Sequence, residues 1–163
     1  MRKSIITIGI ILIIVIVVQA CKKDKAESNT DDVLYMEVAS SSFSYYQNGN
    51  ILSAASPSPH GSFKLRFNAT AKAALDSTGE LPSGNSFPIG SIIVKDVYSG
   101  SNLSLYAVMK KDPSNANAGS GWLWAEFNTD GSVSSSTVKK GDGCIKCHSG
   151  LPNRDLTRTF DLH

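Results

Sequence analysis

The feature that most constrains this chain is Cys144-Ile145-Lys146-Cys147-His148, close to its C-terminal end. On a turn of helix, residues three apart share a face. Two thiols so placed can meet the two vinyl groups of one porphyrin as thioethers. The histidine that follows can then bring an imidazole nitrogen to the iron, which is the attachment pattern of c-type haem. Gly141, Gly143 and Gly150 free the backbone on either side. Other uses of a Cys-x-x-Cys fit less well. A zinc site would need a second pair, and His60 and His163 are not at finger spacing. A redox dithiol belongs near a strand-helix-strand unit, whereas the segments upstream read as antiparallel strands. A plain disulfide leaves His148 without a role.

The 163 residues suit one domain. Lys and Arg number 16 against 14 Asp and Glu, and Arg2 and Lys3 lie in the first twenty residues, so the remainder is balanced at 14 against 14. A neutral chain lacks the basic patch that a nucleic-acid partner requires. Sparse charge with plentiful Ser, Asn and Gly suits an exported, loop-rich β protein.

Residues 1–20 read as a secretory signal, with Arg2 and Lys3 ahead of an apolar run from Ile5 to Val18. That run is short for a membrane span, which needs about 20 residues. The alternative is an uncleaved anchor. Val18-Gln19-Ala20-Cys21 resembles a bacterial lipobox, which makes Cys21 the lipidated first residue of the mature chain. Either way the remainder lies outside the cytoplasm, where c-type haem is attached. Residues 21–32 read as a polar tether and 33–163 as the haem-bearing domain.

The three-four spacing of Met36, Ala39, Phe43 and Tyr46 predicts a helix over Val33–Gln47, capped by Asp31 or Asp32. Phe63–Phe67 alternates as a half-buried strand, and Asn68 reads as the cap of a helix over Ala69–Asp76. Three further strands are predicted over Ser91–Tyr98, Leu103–Met109 and Trp122–Phe127. Asp130-Gly131 should turn the chain out of the sheet, leaving residues 132–143 as a polar approach to the haem turn. The expected class is α+β: a mainly antiparallel sheet with short flanking helices and a C-terminal haem-attachment turn.

A late Cys-x-x-Cys-His behind strands is unlike small helical cytochromes c. Together with Pro59-His60-Gly61, the stretch Phe87 to Asp96 and the Trp122 strand, it resembles the cytochrome P-460 family, which includes the cytochromes c′-beta. The resemblance runs from about His60 to Phe160. It implies one haem c per chain, five-coordinate, with His148 as metal ligand and an open distal side. Many members are homodimers. In the family's enzymes a strand lysine is cross-linked to the porphyrin and hydroxylamine is oxidised; Lys95 matches that lysine. Those enzymes also carry a distal glutamate on the approach to the motif. Here the approach, Val138 to Asp142, has none, and Asp142 and Glu126 are the carboxylates that remain for the role. A c′-beta-like protein would instead have an apolar cap, for which Phe127, Trp124 and Phe87 are candidates.

Arginine's fork suits carboxylates, so Arg154 or Arg158 is expected to pair with a haem propionate. Lys95 taken alone reads more readily as a lysine snorkelling to water; the resemblance turns it toward the haem edge. Three functions compete. One is oxidation of hydroxylamine or a related small nitrogen compound, with a redox partner protein. The second is non-catalytic binding of nitric oxide or another diatomic gas, or electron carriage. The third is a structural lipoprotein with a simple disulfide. Under each, Cys21 tethers the chain to a membrane on its periplasmic or cell-surface side.

Overall fold

The computed structural model describes residues 29–54, 58–150, 154–158 and 160. The signal segment, Cys21 and most of the tether lie outside them. Seven strands form one antiparallel sheet: β1 (Phe43–Tyr45), β2 (Leu52–Ser53), β3 (Ser62–Asn68), β4 (Ile92–Ser99), β5 (Asn102–Lys111), β6 (Trp122–Asn128) and β7 (Val133–Ser135). The spatial order is β1-β3-β4-β5-β6-β7, with β2 also pairing β3. Helices α1 (Thr30–Ser40), α2 (Ala69–Lys72) and α3 (Ile145–His148) are added to it. The expected α+β class is the class observed.

Alternation along the strands makes two apolar faces. Phe63, Leu65, Phe67, Ile93, Met109, Trp122 and Trp124 point to one side and pack with Tyr46, Ala71, Leu81, Phe87 and Phe160. Ile92, Val94, Val108, Leu123, Ala125 and Phe127 point to the other, where Leu34 and Val38 of α1 cover them. Each large side chain contributes about 1.5–3 kcal/mol on burial. Two such anchors one helical turn apart outweigh the weak helix propensity of the polar residues around them.

Three elements depart from the sequence reading. The first helix spans Thr30–Ser40, not Val33–Gln47, and its cap is Asn29, whose side chain accepts from Asp31 N at 3.2 Å. Met36 is 66% exposed, so Leu34 and Val38 carry the buried face. Ser40, Ser41 and Ser42 end the helix, Ser40 bonding back to the Met36 carbonyl at 2.6 Å, and Phe43 then pairs opposite Asn68 as strand. Asp31, read as a possible cap, is buried and accepts from Thr137 N at 2.8 Å and Ser136 Oγ at 2.5 Å. That ties the start of α1 to the approach to the Cys-x-x-Cys-His turn.

The second helix is a single turn. Asn68 caps it as read, accepting from Ala71 N at 2.9 Å, but Asp76 instead gathers Thr78 N at 2.8 Å and Glu80 N at 3.2 Å into a loop. Third, Asp130-Gly131 returns the chain to the sheet. Phe127 pairs with Val133 and Glu126 with Ser135, so the polar approach contains β7 and a 3-10 turn over Thr137–Lys139.

Candidate functional site

The site is built on the face of the sheet away from α1. Lys95 on β4 lies opposite Ala107 on β5, and Ala107 lies opposite Glu126 on β6. Neighbouring strands are about 4.8 Å apart, so the backbones of Lys95 and Glu126 are roughly 10 Å apart with only a methyl group between them. Asp96, one residue on, takes the other face and pairs with Arg66 Nε at 2.9 Å.

The Cys-x-x-Cys-His turn closes over this row. Gly141 has φ +76°, and a Cβ there would lie 2.6 Å from the Trp124 ring, so only glycine lets the turn approach so near. The His148 ring then packs edge-to-face on Trp124, centroids 4.9 Å apart. Its Nδ1–H donates to the Leu156 carbonyl at 2.6 Å, leaving the Nε2 lone pair available to a metal. Leu156 and Asp155 both have left-handed backbone, φ +66° and +53°. The Asp155 carboxylate fixes them by accepting from Lys111 Nζ at 2.6 Å and Phe87 N at 2.9 Å. Burial lowers the pKa of His148 to about 4, outweighing its bond to Leu156. The imidazole is therefore neutral, the form that ligates metals.

Between turn and sheet lies a cavity of about 270 Å³. Lys95, Glu126, Asp142, Cys144, Cys147, His148 and Arg158 all line it. Burial lowers the pKa of Lys95 to about 8, and its Nζ sits 4.3 Å from the centroid of the Phe63 ring. This lysine points into the cavity and does not snorkel. Burial also pushes the Cys144 thiol up, with the Glu126 charge adding to it. Arg158 Nη1 donates to the Cys147 carbonyl at 2.6 Å and lies 3.1 Å from its Sγ.

Four residues are placed differently from their expected roles. Arg154 is drawn outside the cavity, donating to the Leu81 carbonyl at 2.7 Å and to Glu80 at 3.3 Å, and Arg158 is the one of the two that lines it. Phe127 is on the α1 face of the sheet and Phe87 is packed into the core against Trp122, so neither can cap the cavity. Trp124 does line the cavity, but its ring is taken up by His148.

His60 was passed over in the sequence, although it stands inside the Pro59-His60-Gly61 mark. Its Nε2–H donates to Glu126 Oε1 at 3.1 Å, and both residues line the cavity. That bond holds the Glu126 carboxyl below its ordinary pKa, against the effect of its desolvation. Met109 and Thr157 also line the cavity without having been anticipated.

These residues fit a haem. The thiols of Cys144 and Cys147 are free, and a neutral imidazole stands beside them. Ile93, Ala107 and Met109 give an apolar wall for a porphyrin face. Arg158 Nε and Thr157 Oγ1 are buried without a hydrogen-bond partner among the described residues, which leaves donors for a group lying against them. Among the described residues no cluster of three or more ligating side chains could hold a bare metal ion. A porphyrin brings its own four nitrogens and needs only the axial imidazole.

No curated protein sequence matches the chain. The family model for cytochrome P460 matches residues 45–159, from the end of β1 past the Cys-x-x-Cys-His turn, and so begins fifteen residues before the resemblance read from the sequence. The match covers most of the chain, which therefore belongs to the cytochrome P460 family and is a haem-binding protein of that family.

Proposed function

We propose that this chain is an exported lipoprotein with one covalently attached haem c, and that it oxidises hydroxylamine or a related small nitrogen compound. The observation that carries the reading is the polar, ionisable lining of the cavity around His148. A gas-binding site capped by apolar side chains would have no use for Lys95, Glu126 with His60, and Asp142 together.

The roles follow from position. Cys144 and Cys147 hold the haem by addition of each thiol across a vinyl group. His148 offers Nε2 to the iron, oriented by the Leu156 carbonyl. A haem held there would supply an iron able to accept electrons from a bound substrate and hand them to a redox partner protein. Glu126, held ionised by His60, takes a proton from the substrate. Asp142 adds a second carboxylate to the lining, and Arg158 offers its unpartnered Nε to a propionate. Lys95 would present its amine to the edge of a haem held there; a cross-link would join the amine nitrogen to a porphyrin carbon with loss of one N–H and one C–H hydrogen, and would need a two-electron oxidant such as peroxide. Cys21 anchors the protein to a membrane, on the periplasmic or cell-surface side.

The test is a visible spectrum of protein expressed in a periplasm with haem-attachment machinery, followed by hydroxylamine consumption with an artificial electron acceptor. Haem that resists acid-acetone extraction, together with turnover, supports the reading. Haem without turnover makes the protein a c′-beta-like nitric oxide binder or an electron carrier. A protein without haem overturns the proposal.

A further inference from the structure

The His60–Glu126 pair carries more than one hydrogen bond. The two residues are 66 positions apart in sequence and reach the cavity from different elements, His60 from the β2–β3 connection and Glu126 from β6. The His60 side chain is 17% exposed and that of Glu126 28%, so both are shielded yet open to the cavity they line. With Nε2–H donating to Glu126 Oε1, His60 is the neutral tautomer whose Nδ1 is an acceptor. Neither that Nδ1 nor Glu126 Oε2 has a hydrogen-bond partner among the described residues. The pair therefore presents two open acceptor atoms.

We propose that His60 and Glu126 act as one proton acceptor facing the ligand: His60 orients Glu126 and takes up the proton on Nδ1. The inference rests on the functional reading above and narrows its substrate to small nitrogen ligands that carry removable N–H or O–H protons. A ligand proton moves to the pair and no electron moves with it. The product is an imidazolium beside a carboxylate, an ion pair, so the charges left behind attract. A carboxylate alone would become a neutral buried acid, and an imidazole alone would become a buried cation without a partner. Proton-bearing ligands thus gain an acceptor that nitric oxide and carbon monoxide cannot use. Ala107, opposite Glu126 in the sheet, leaves room for such a ligand.

Other charges face the pair and set the background for its titration. Lys139, on the 3-10 turn before the haem motif, lowers the Glu126 pKa. Asp142 and Cys144 come from the motif turn, Lys95 from β4, and His148 and Arg158 from the opposite wall. None of them is hydrogen-bonded to His60 or Glu126 among the described residues.

The experiment uses haem-loaded protein and reads the C–O stretch of the ferrous carbon monoxide complex across pH, with hydroxylamine binding to the ferric form alongside. In the wild type the stretch should step as the pair gains a proton. His60→Ala should abolish the step and weaken hydroxylamine binding about tenfold, the size of one charge-assisted hydrogen bond, with nitric oxide affinity unchanged. His60→Gln keeps a donor for Glu126 but cannot titrate, so it should restore the high-pH frequency and still lack the step. A wild type without a step, a His60→Ala protein like wild type, or a His60→Gln protein that keeps the step overturns the proposal. If His60→Ala loads no haem, Glu126→Gln gives the same test from the other partner, and an unchanged step there also overturns it. Loss of turnover in the wild type with the step intact would sink hydroxylamine oxidation and leave the acceptor pair standing.

Discussion

Lys95 and Glu126 face one cavity from strands that are not neighbours, and on the strand between them the residue in register with both is Ala107. A base and an acid brought this close on bare strands would meet directly. The alanine keeps a space in which something else must lie. Ala107→Leu should therefore fill the cavity floor while leaving the sheet paired, because leucine is compatible with a strand. Overpacking of this kind costs about 1–3 kcal/mol. The expected outcome is a folded protein with severalfold less haem per chain, read from the ratio of Soret to protein absorbance. Full haem content would show that the alanine does not mark the porphyrin's place.

The two arginines downstream of the motif should separate cleanly. Arg154→Ala removes donors to Glu80 and to the Leu81 carbonyl, so it should lower stability by about 1 kcal/mol and leave the haem spectrum unchanged. Arg158→Ala removes the contact with Cys147 and the donor facing the cavity, so it should reduce haem loading or shift the spectrum. Thermal melts and spectra of both variants check this. A spectral change confined to Arg154→Ala would reverse the assignment.

How much of this was legible in the sequence follows from what sets each element. The haem motif was legible because thioether chemistry fixes the spacing of Cys144, Cys147 and His148 along the chain. β3 and β5 were legible because apolar residues recur at period two along them, and β4 and β6 because they are short apolar runs bounded by turn residues, buried on both faces. The end of α1 was not, because Phe43 and Tyr46 continue the three-four spacing, whereas Phe43 pairs with β3 and Tyr46 opens a 3-10 turn. β7 reads Val133-Ser134-Ser135 and carries no pattern, since backbone pairing to β6 makes it a strand. His60 was out of reach because its partner is 66 residues away and only the closed sheet brings them together.

His148→Ala separates ligation from attachment. The thioethers use only Cys144 and Cys147, so the variant should keep covalent haem and lose the axial nitrogen. A changed Soret band with haem still on the peptide is the expected result. An unchanged spectrum would make His148 a bystander held by Leu156 and Trp124.

The anchor is tested outside the described residues. Acyl chains contribute about 0.8 kcal/mol per buried CH₂, and stable attachment takes more than one chain. Cys21→Ser should prevent lipidation and leave the signal unprocessed at that site, read from the mass of the N-terminal peptide. Wild-type protein found soluble, with an unmodified N-terminal cysteine, would count against the lipoprotein reading.

The sharpest prediction concerns Lys95, whose pKa burial lowers from 10.5 to about 8. Between those values the unfolded chain still binds a proton that the folded one has lost, so folding stability contributed by this residue rises with pH across that window. Below it the buried ammonium is a liability. Lys95→Met should therefore stabilise the haem-free protein at pH 7, by at most about 3 kcal/mol, and the advantage should shrink as pH climbs through 8 toward 10. Urea midpoints of both proteins at several pH values measure this. The same pKa governs the cross-link, because only the neutral amine is a nucleophile. Its neutral fraction rises about tenfold between pH 7 and pH 9, so the early rate of cross-linking under added peroxide should rise by the same factor. Tryptic mass spectrometry should find one haem joining the Lys95 and Cys144–His148 peptides, and Lys95→Ala should remove that species while keeping haem on Cys144 and Cys147. If haem stays on the Cys144–His148 peptide alone at every pH, Lys95 is a buried amine and the hydroxylamine-oxidising reading loses its cross-link.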